Sequence, residues 1–231
     1  MSLKSALKIL LYIFCTLLVE DLFASTVLNH IGFNDGGVIW LVFMTAVYVF
    51  IGLVIVFFIA TVVFKSQQAN RILKKISGNK DALWDKEFME DHAKQTFLAM
   101  QLAWEKRNLK HMKKSMTPEL YSRMKDTLNS MILNKTINVI VPIEIKDVRI
   151  IGCEDYKDDS KDRYIAYIKG TIIDYTIDET TGIIIKNDHK SYETFKDTYH
   201  FVRINYSWVL EEIDNLVTIW DVINTRNYKE E

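Results

Sequence analysis

The sequence predicts an α+β protein: one or more membrane helices at the N terminus, then helices packed on a curved antiparallel sheet. Three observations predict it. No charged residue occurs between Val38 and Phe64. From Trp84 to Met131 apolar residues recur at three- to five-residue steps. From Asn138 onward the period falls to two. Helices first and strands afterwards is the order of an α+β domain.

Residues 36–64 read as a transmembrane helix. The 27 uncharged residues Val38–Phe64 would rise about 40 Å as a helix. A hydrocarbon core is about 30 Å thick, so the segment spans it with some tilt. Residues 1–29 allow two readings. Lys4 and Lys8 precede an apolar run, Ile9–Val19, which Glu20 and Asp21 end. That run suits a signal-peptide core, with Ala24 before the cleavage point, or the first span of a helical hairpin. Both give one topology. Lys65, Arg71, Lys74, Lys75 and Lys80 follow Phe64 closely, whereas Glu20 to Asp35 holds acids and no base. The positive-inside rule then places the C-terminal part in the cytosol, or on the matrix-equivalent side.

Residues 65–82 read as a basic linker broken at Ser77-Gly78-Asn79, with Lys65, Arg71, Lys74 and Lys75 as residues for the membrane surface. Each such charge is worth about 1 kcal/mol against anionic lipid. The domain follows at 83–216. Its first helix carries Trp84, Phe88, His92, Phe97, Met100 and Trp104 along one side. Thr117-Pro118-Glu119 starts a second helix, since threonine caps well and proline suits the first turn. Leu120, Met124, Leu128 and Met131 form its apolar stripe.

Strands are expected from Asn138, from Arg163 to Ile177, from Ile183 to Lys186, from Tyr192 to Asn205 and from Trp208 to Ile213. Pro142 marks the first as an edge strand. Asp155–Lys161 reads as a charged, solvated loop, and 217–231 as a C-terminal tail. Cys15 and Cys153 belong to different environments, so they form neither a disulfide framework nor a metal cluster.

Chemical motifs are scarce. The chain has no phosphate loop, dinucleotide fingerprint or nucleophile elbow. Its five histidines show no metal-ligand spacing, so no metal and no cofactor is expected. The chain holds 29 Lys and Arg against 30 Asp and Glu. Only two bases and three acids precede Lys65. The part beyond is balanced, which argues against nucleic acid. Aromatic residues are abundant instead, and helices on a curved sheet can leave an apolar pocket.

Two stretches and several pieces downstream carry a resemblance. Phe97-Leu98-Ala99-Met100-Gln101-Leu102-Ala103-Trp104-Glu105-Lys106-Arg107-Asn108-Leu109 precedes Met116-Thr117-Pro118-Glu119-Leu120-Tyr121. Gly170-Thr171-Ile172-Ile173-Asp174-Tyr175, Thr181-Gly182, Phe201-Val202-Arg203 and Trp208-Val209-Leu210 continue in order. The set resembles the C-terminal domain of the translocase of the inner mitochondrial membrane, 44-kDa subunit, and covers roughly Trp84 to Asp214. The resemblance implies a cystatin-like (nuclear transport factor two-like) cone with a large apolar pocket, and a membrane-associated scaffold. This chain departs from that family in having no long helical arm before the domain and its own membrane anchor.

The expected function is therefore a membrane-anchored, non-enzymatic binding or scaffold protein. Its partners would be membrane lipid and a protein client or the translocation and assembly machinery, with self-association left open. The pocket residues would be Phe97, Met100 and Trp104 from the helix and Tyr167, Tyr175, Phe201 and Trp208 from the sheet. Two alternatives stand beside it. One is a secretion-system core subunit with the domain outside the cytosol. The other is a small-molecule enzyme using His92, Asp174 and Tyr175 as acid and base.

Overall fold

The computed structural model describes residues 35–76, 81–187 and 191–231. The chain divides into two compact units at Phe64/Lys65. The expected signal peptide or first span at 1–29, His30, His189, Lys80 and the break at Ser77-Gly78-Asn79 lie outside the described residues.

The first unit contains most of helix α1, Asp35–Ile76. Its stretch Trp40–Ile76 is long and apolar enough to cross a membrane, with a mean hydropathy of 3.0 at its most apolar. Trp40, Phe43, Tyr48, Phe50, Ile55 and Val56 are exposed, as lipid contact requires. Thr45 and Thr61 donate their hydroxyls to the carbonyls of Leu41 and Phe57, four residues back. Both hydroxyls are thus satisfied within the helix, the only inexpensive arrangement in hydrocarbon.

The second unit opens with the last three turns of α1. Ala69, Leu73 and Ile76 are buried in the domain core, at the i, i+4, i+7 spacing of one helix face. This corrects the linker reading of 65–82. Arg71, Lys74 and Lys75, exposed on the other side of the helix, conceal a short apolar stripe. Asp81 then caps a single turn by accepting the Leu83 N–H.

Helix α2, Lys86–Glu105, starts where the Asp85 carboxylate accepts the Phe88 N–H at 2.8 Å. It buries Met89, Ala93, Phe97, Met100 and Ala103. Helix α3, Pro118–Leu133, starts at Thr117, whose side chain accepts the Leu120 N–H. Its cap and proline are as the sequence predicts.

Six strands form one sheet: β1 Thr136–Asp155, β2 Arg163–Asp178, β3 Ile184–Lys186, β4 Glu193–Ile204, β5 Ser207–Asp214 and β6 Asn227–Lys229. The order is β5-β4-β2-β1-β6, with β3 paired to β2. Pairing is antiparallel except for β1 with β6. The register between β1 and β2 shifts at Ile140/Ile143, Ile145/Asp147 and Ile150/Gly152. Bulges bend a strand and increase its twist, so these long strands curl the sheet into a half-barrel around the helices. At Gly170 a Cβ would collide with the Glu144 carbonyl oxygen and the Phe195 ring, so the tight bend needs glycine there.

Tyr164, Ala166 and Ile168 of β2 and Tyr199 and Phe201 of β4 face the helices. Phe201 stacks on Tyr164 with centroids 4.4 Å apart, and Trp208 meets Tyr164 edge-on. Asn205 and Tyr206 turn β4 into β5 with φ of 46° and 62°, the left-handed geometry that suits strand twist.

The C-terminal residues are not a tail. Helix α4, Ile219–Asn224, begins in a capping box between Thr218 and Asp221 and buries Val222. Thr225 and Asn227 donate to the Ile151 carbonyl, and Cys153 N–H donates to Asn227 Oδ1. Side-chain stitches, which carry no sequence periodicity, hold this segment to β1.

Candidate functional site

Helices α2 and α3 and the concave face of the sheet leave a half-open cavity of about 640 Å³, within the range of small-ligand sites. Gln101 and Trp104 come from α2, and Met124 and Met131 from α3. The sheet contributes Asn138 from β1, Asp174 and Thr176 from β2, Tyr199 from β4, and Ile213 and Asp214 from β5. Leu216, 86 % exposed, stands at the mouth.

The lining combines apolar side chains with two carboxylates and includes no lysine, arginine or histidine. Burial raises the pKa of Asp174, although Asn138 donates to it and Lys186 acts against the rise. Burial raises the Tyr199 phenol well above its ordinary value. Two residues earlier on the same face of β4 lies Asp197, opposite Ile168 and 5 % exposed. It has no hydrogen-bond or ion-pair partner among the described residues. Burial and the neighbouring Asp214 carboxylate push its pKa up to about 7.

Of the seven pocket residues expected from sequence, only Trp104 lines this cavity. Phe97 and Met100 are fully buried, Phe97 stacked on Phe195 at 5.0 Å. Phe201 and Trp208 belong to the aromatic core, and Trp208 donates its indole N–H to the Leu83 carbonyl. Tyr167 and Tyr175 occupy the alternate positions of β2, on the opposite face from Tyr164 and Ile168. Tyr199, Asp174 and Ile213 take their place in the wall. A one-residue change of facing makes that difference, and periodicity without register cannot choose.

The acid–base trio does not assemble. His92 packs between Phe88 and Phe201 and lies 2.9 Å from the Tyr164 hydroxyl. Burial lowers its pKa. Tyr164 and Asp174 are ten positions apart on one strand, roughly 30 Å at about 3.3 Å per residue.

A second depression, about 490 Å³, is lined by Lys65, Gln68, Arg71, Ile72, Lys74 and Lys75 of α1 with Thr225 and Asn227. All four basic residues expected at the membrane surface thus border one groove. Lys65 donates to the Thr225 carbonyl at 2.7 Å.

A third feature escaped sequence reasoning. Arg203, 6 % exposed, binds Asp81 and Asp162 through one guanidinium nitrogen, at 2.6 and 3.1 Å, and Asp159 through the other, at 3.1 Å. Its Nε is buried without an acceptor. The loop 155–161 is therefore anchored rather than merely solvated. Burial raises Asp162 to about 6, although it accepts the Tyr156 N–H. Among the described residues no group of His, Cys, Asp and Glu could hold a metal ion. Burial drives the Cys153 thiol pKa upward, which leaves it unreactive.

Comparison with known proteins places these features in a family. A search of the curated proteins finds no match. Among solved structures, the intermembrane space region of the chloroplast protein ARC6 aligns at 9% identity and a TM-score of 0.43. The alignment covers 58% of this chain and 98% of that one. The sequence model of the Tim44-like domain matches residues 69–226. That span takes in the end of α1, both domain helices, β1 to β5 and α4, and the chain belongs to the Tim44-like domain family.

Proposed function

We propose that the protein is a membrane-anchored, non-enzymatic binding module. It presents its Tim44-like domain on the cytoplasmic side of a bacterial inner membrane. There it recruits a protein client, in translocation or in the assembly of membrane proteins. The observation that carries the reading is the half-open cavity at Trp104, Met124, Met131, Ile213 and Leu216. Methionines and aromatic rings make an adaptable apolar surface, and His92, Asp174 and Tyr175 do not converge on a reaction centre. The groove at Lys65, Arg71, Lys74 and Lys75 supports contact with anionic lipid, and the same bases support the cytoplasmic side.

The test is a photo-crosslinking side chain at position 104 in intact cells, with position 175 on the opposite face as control. Position 104 should give discrete adducts with membrane or cytoplasmic proteins that position 175 does not give. Equal capture from both positions, or capture only of extracytoplasmic proteins, would overturn the reading.

A further inference from the structure

We propose that Arg107, Lys135 and Glu179 form a latch that sets how far the cavity opens. The inference rests on reading the cavity as a binding site, whose access the latch regulates. Three walls of the cavity run into this one joint. Arg107 follows Trp104 of α2, Lys135 stands between Met131 of α3 and Thr136 of β1, and Glu179 follows Thr176 of β2. The Arg107 guanidinium donates to both Glu179 carboxylate oxygens, at 2.8 and 2.6 Å. The Glu179 N–H donates to the Lys135 carbonyl at 2.7 Å. A single residue in the turn after β2 thus holds the C-terminal ends of both helices, across 72 positions in the case of Arg107.

The joint is built to open without unfolding what it joins. The turn is stiff by itself: the Asp178 carboxylate accepts the N–H groups of Thr180 and Thr181 and the Thr181 hydroxyl, and Gly182 supplies the left-handed residue, with φ of 70°. Helix α2 closes its own end, where the Asn108 N–H donates to the Ala103 carbonyl. Arg107 is joined to the turn through side chains, and the pair meets water, with the Glu179 side chain 42% exposed and that of Arg107 20%. Exposed ion pairs typically bias an equilibrium by no more than about fivefold, and salt screens them. The Arg203 cluster, by contrast, is buried. Screening, or a charged group competing for Arg107 or Glu179, therefore releases α2 from the β2 turn while leaving helix and turn intact.

Thiol labelling of the full chain in nanodiscs tests the latch with no client present. The probe is the thiol of Met131→Cys, in the cavity wall, in a Cys15→Ser background; Cys153 is buried. N-ethylmaleimide and fluorescein maleimide are applied separately, and the ratio of the bulky to the compact rate reads the aperture. Arg107→Gln should raise that ratio about three- to fivefold, with the thermal melt retained, and Glu179→Gln should do the same. The charge swap Arg107→Glu with Glu179→Arg should bring it back toward the parent's. High salt should raise the ratio in the parent and leave Arg107→Gln unchanged. The thiol of Tyr206→Cys, on the β4–β5 turn, should show none of these changes. A ratio that neither single variant moves, or that moves equally at position 206, would overturn the inference. So would a parent that does not respond to salt, a measurement that needs no variant of the pair. The aperture is read without a client and the adducts at position 104 without a latch variant, so the latch and the client reading fail separately.

Discussion

Two gatherings of acids occur in one domain, and they are treated in opposite ways. Asp81, Asp159 and Asp162 converge on the buried guanidinium of Arg203. Asp174 and Asp214 line the cavity, with Asp197 buried on the same face, and no described side chain forms an ion pair with any of the three. Burial acts against the charge of Arg203, and the three carboxylates more than restore it. At Asp197 nothing offsets burial, and the group sits near pKa 7. The first gathering belongs to the fold, since it ties Asp81, ahead of α2, to the sheet and to the loop 155–161. The second opposes stability at Asp197, although Asp174 and Asp214 accept hydrogen bonds from Asn138 and the Leu216 N–H.

The comparison breaks most visibly at Arg203. Arg203→Met should lower the unfolding free energy by about 3–5 kcal/mol, because it leaves buried carboxylates without their cation. Urea unfolding of the full chain in nanodiscs, followed by tryptophan fluorescence, measures this. A loss below about 1 kcal/mol would mean the cluster is no more structural than the cavity acids.

Asp197→Asn should act in the opposite direction. A carboxyl raised from an ordinary 3.8 to about 7 binds its proton more tightly in the folded state than in the unfolded one. Stability from this group is therefore highest below pH 3.8, falls as pH rises toward 7, and is level above. At about 1.36 kcal/mol per pH unit the penalty at pH 8 approaches roughly 4 kcal/mol. The asparagine variant escapes it, so it should be about 2–4 kcal/mol more stable than the parent at pH 8. The gap should close as pH falls to 4. A variant less stable at pH 8 would show that Asp197 is part of the structural scheme after all.

The two gatherings also differ in how far the sequence reveals them. The half-barrel itself is legible, because caps at Asp85 and Thr117 and the change of period after Asn138 are local signals. The cavity is half legible. Trp104, Met124 and Met131 lie on helices, where a stripe identifies the inner face. Asp174 and Tyr175 are neighbours on β2, which alternates regularly while β1 opposite it carries the bulges, and alternation alone does not say which of the two faces the helices. The Arg203 cluster is illegible. Its partners stand 122 and 41 residues away, and an arginine between Val202 and Ile204 looks like any solvent-facing strand position. Similarly, the bases between Lys65 and Lys75 mask Ala69, Leu73 and Ile76, which the core requires.

The smallest expected effect separates burial from charge count within the paired cluster. Asp159 and Asp162 bind the same guanidinium at 3.1 Å, but the Asp159 side chain is 61% exposed and that of Asp162 is fully buried. Water already solvates Asp159, so its Coulomb gain is nearly offset by hydration and side-chain entropy. Asp159→Asn should therefore change stability by only about 0.2–1 kcal/mol, and the difference should fade in high salt. Urea titrations at low and high ionic strength check both points. A loss of several kcal/mol that salt does not reduce would mean that the number of charges around Arg203, and not their depth, sets its stability. The contrast with the cavity would then have to be drawn from charge balance alone.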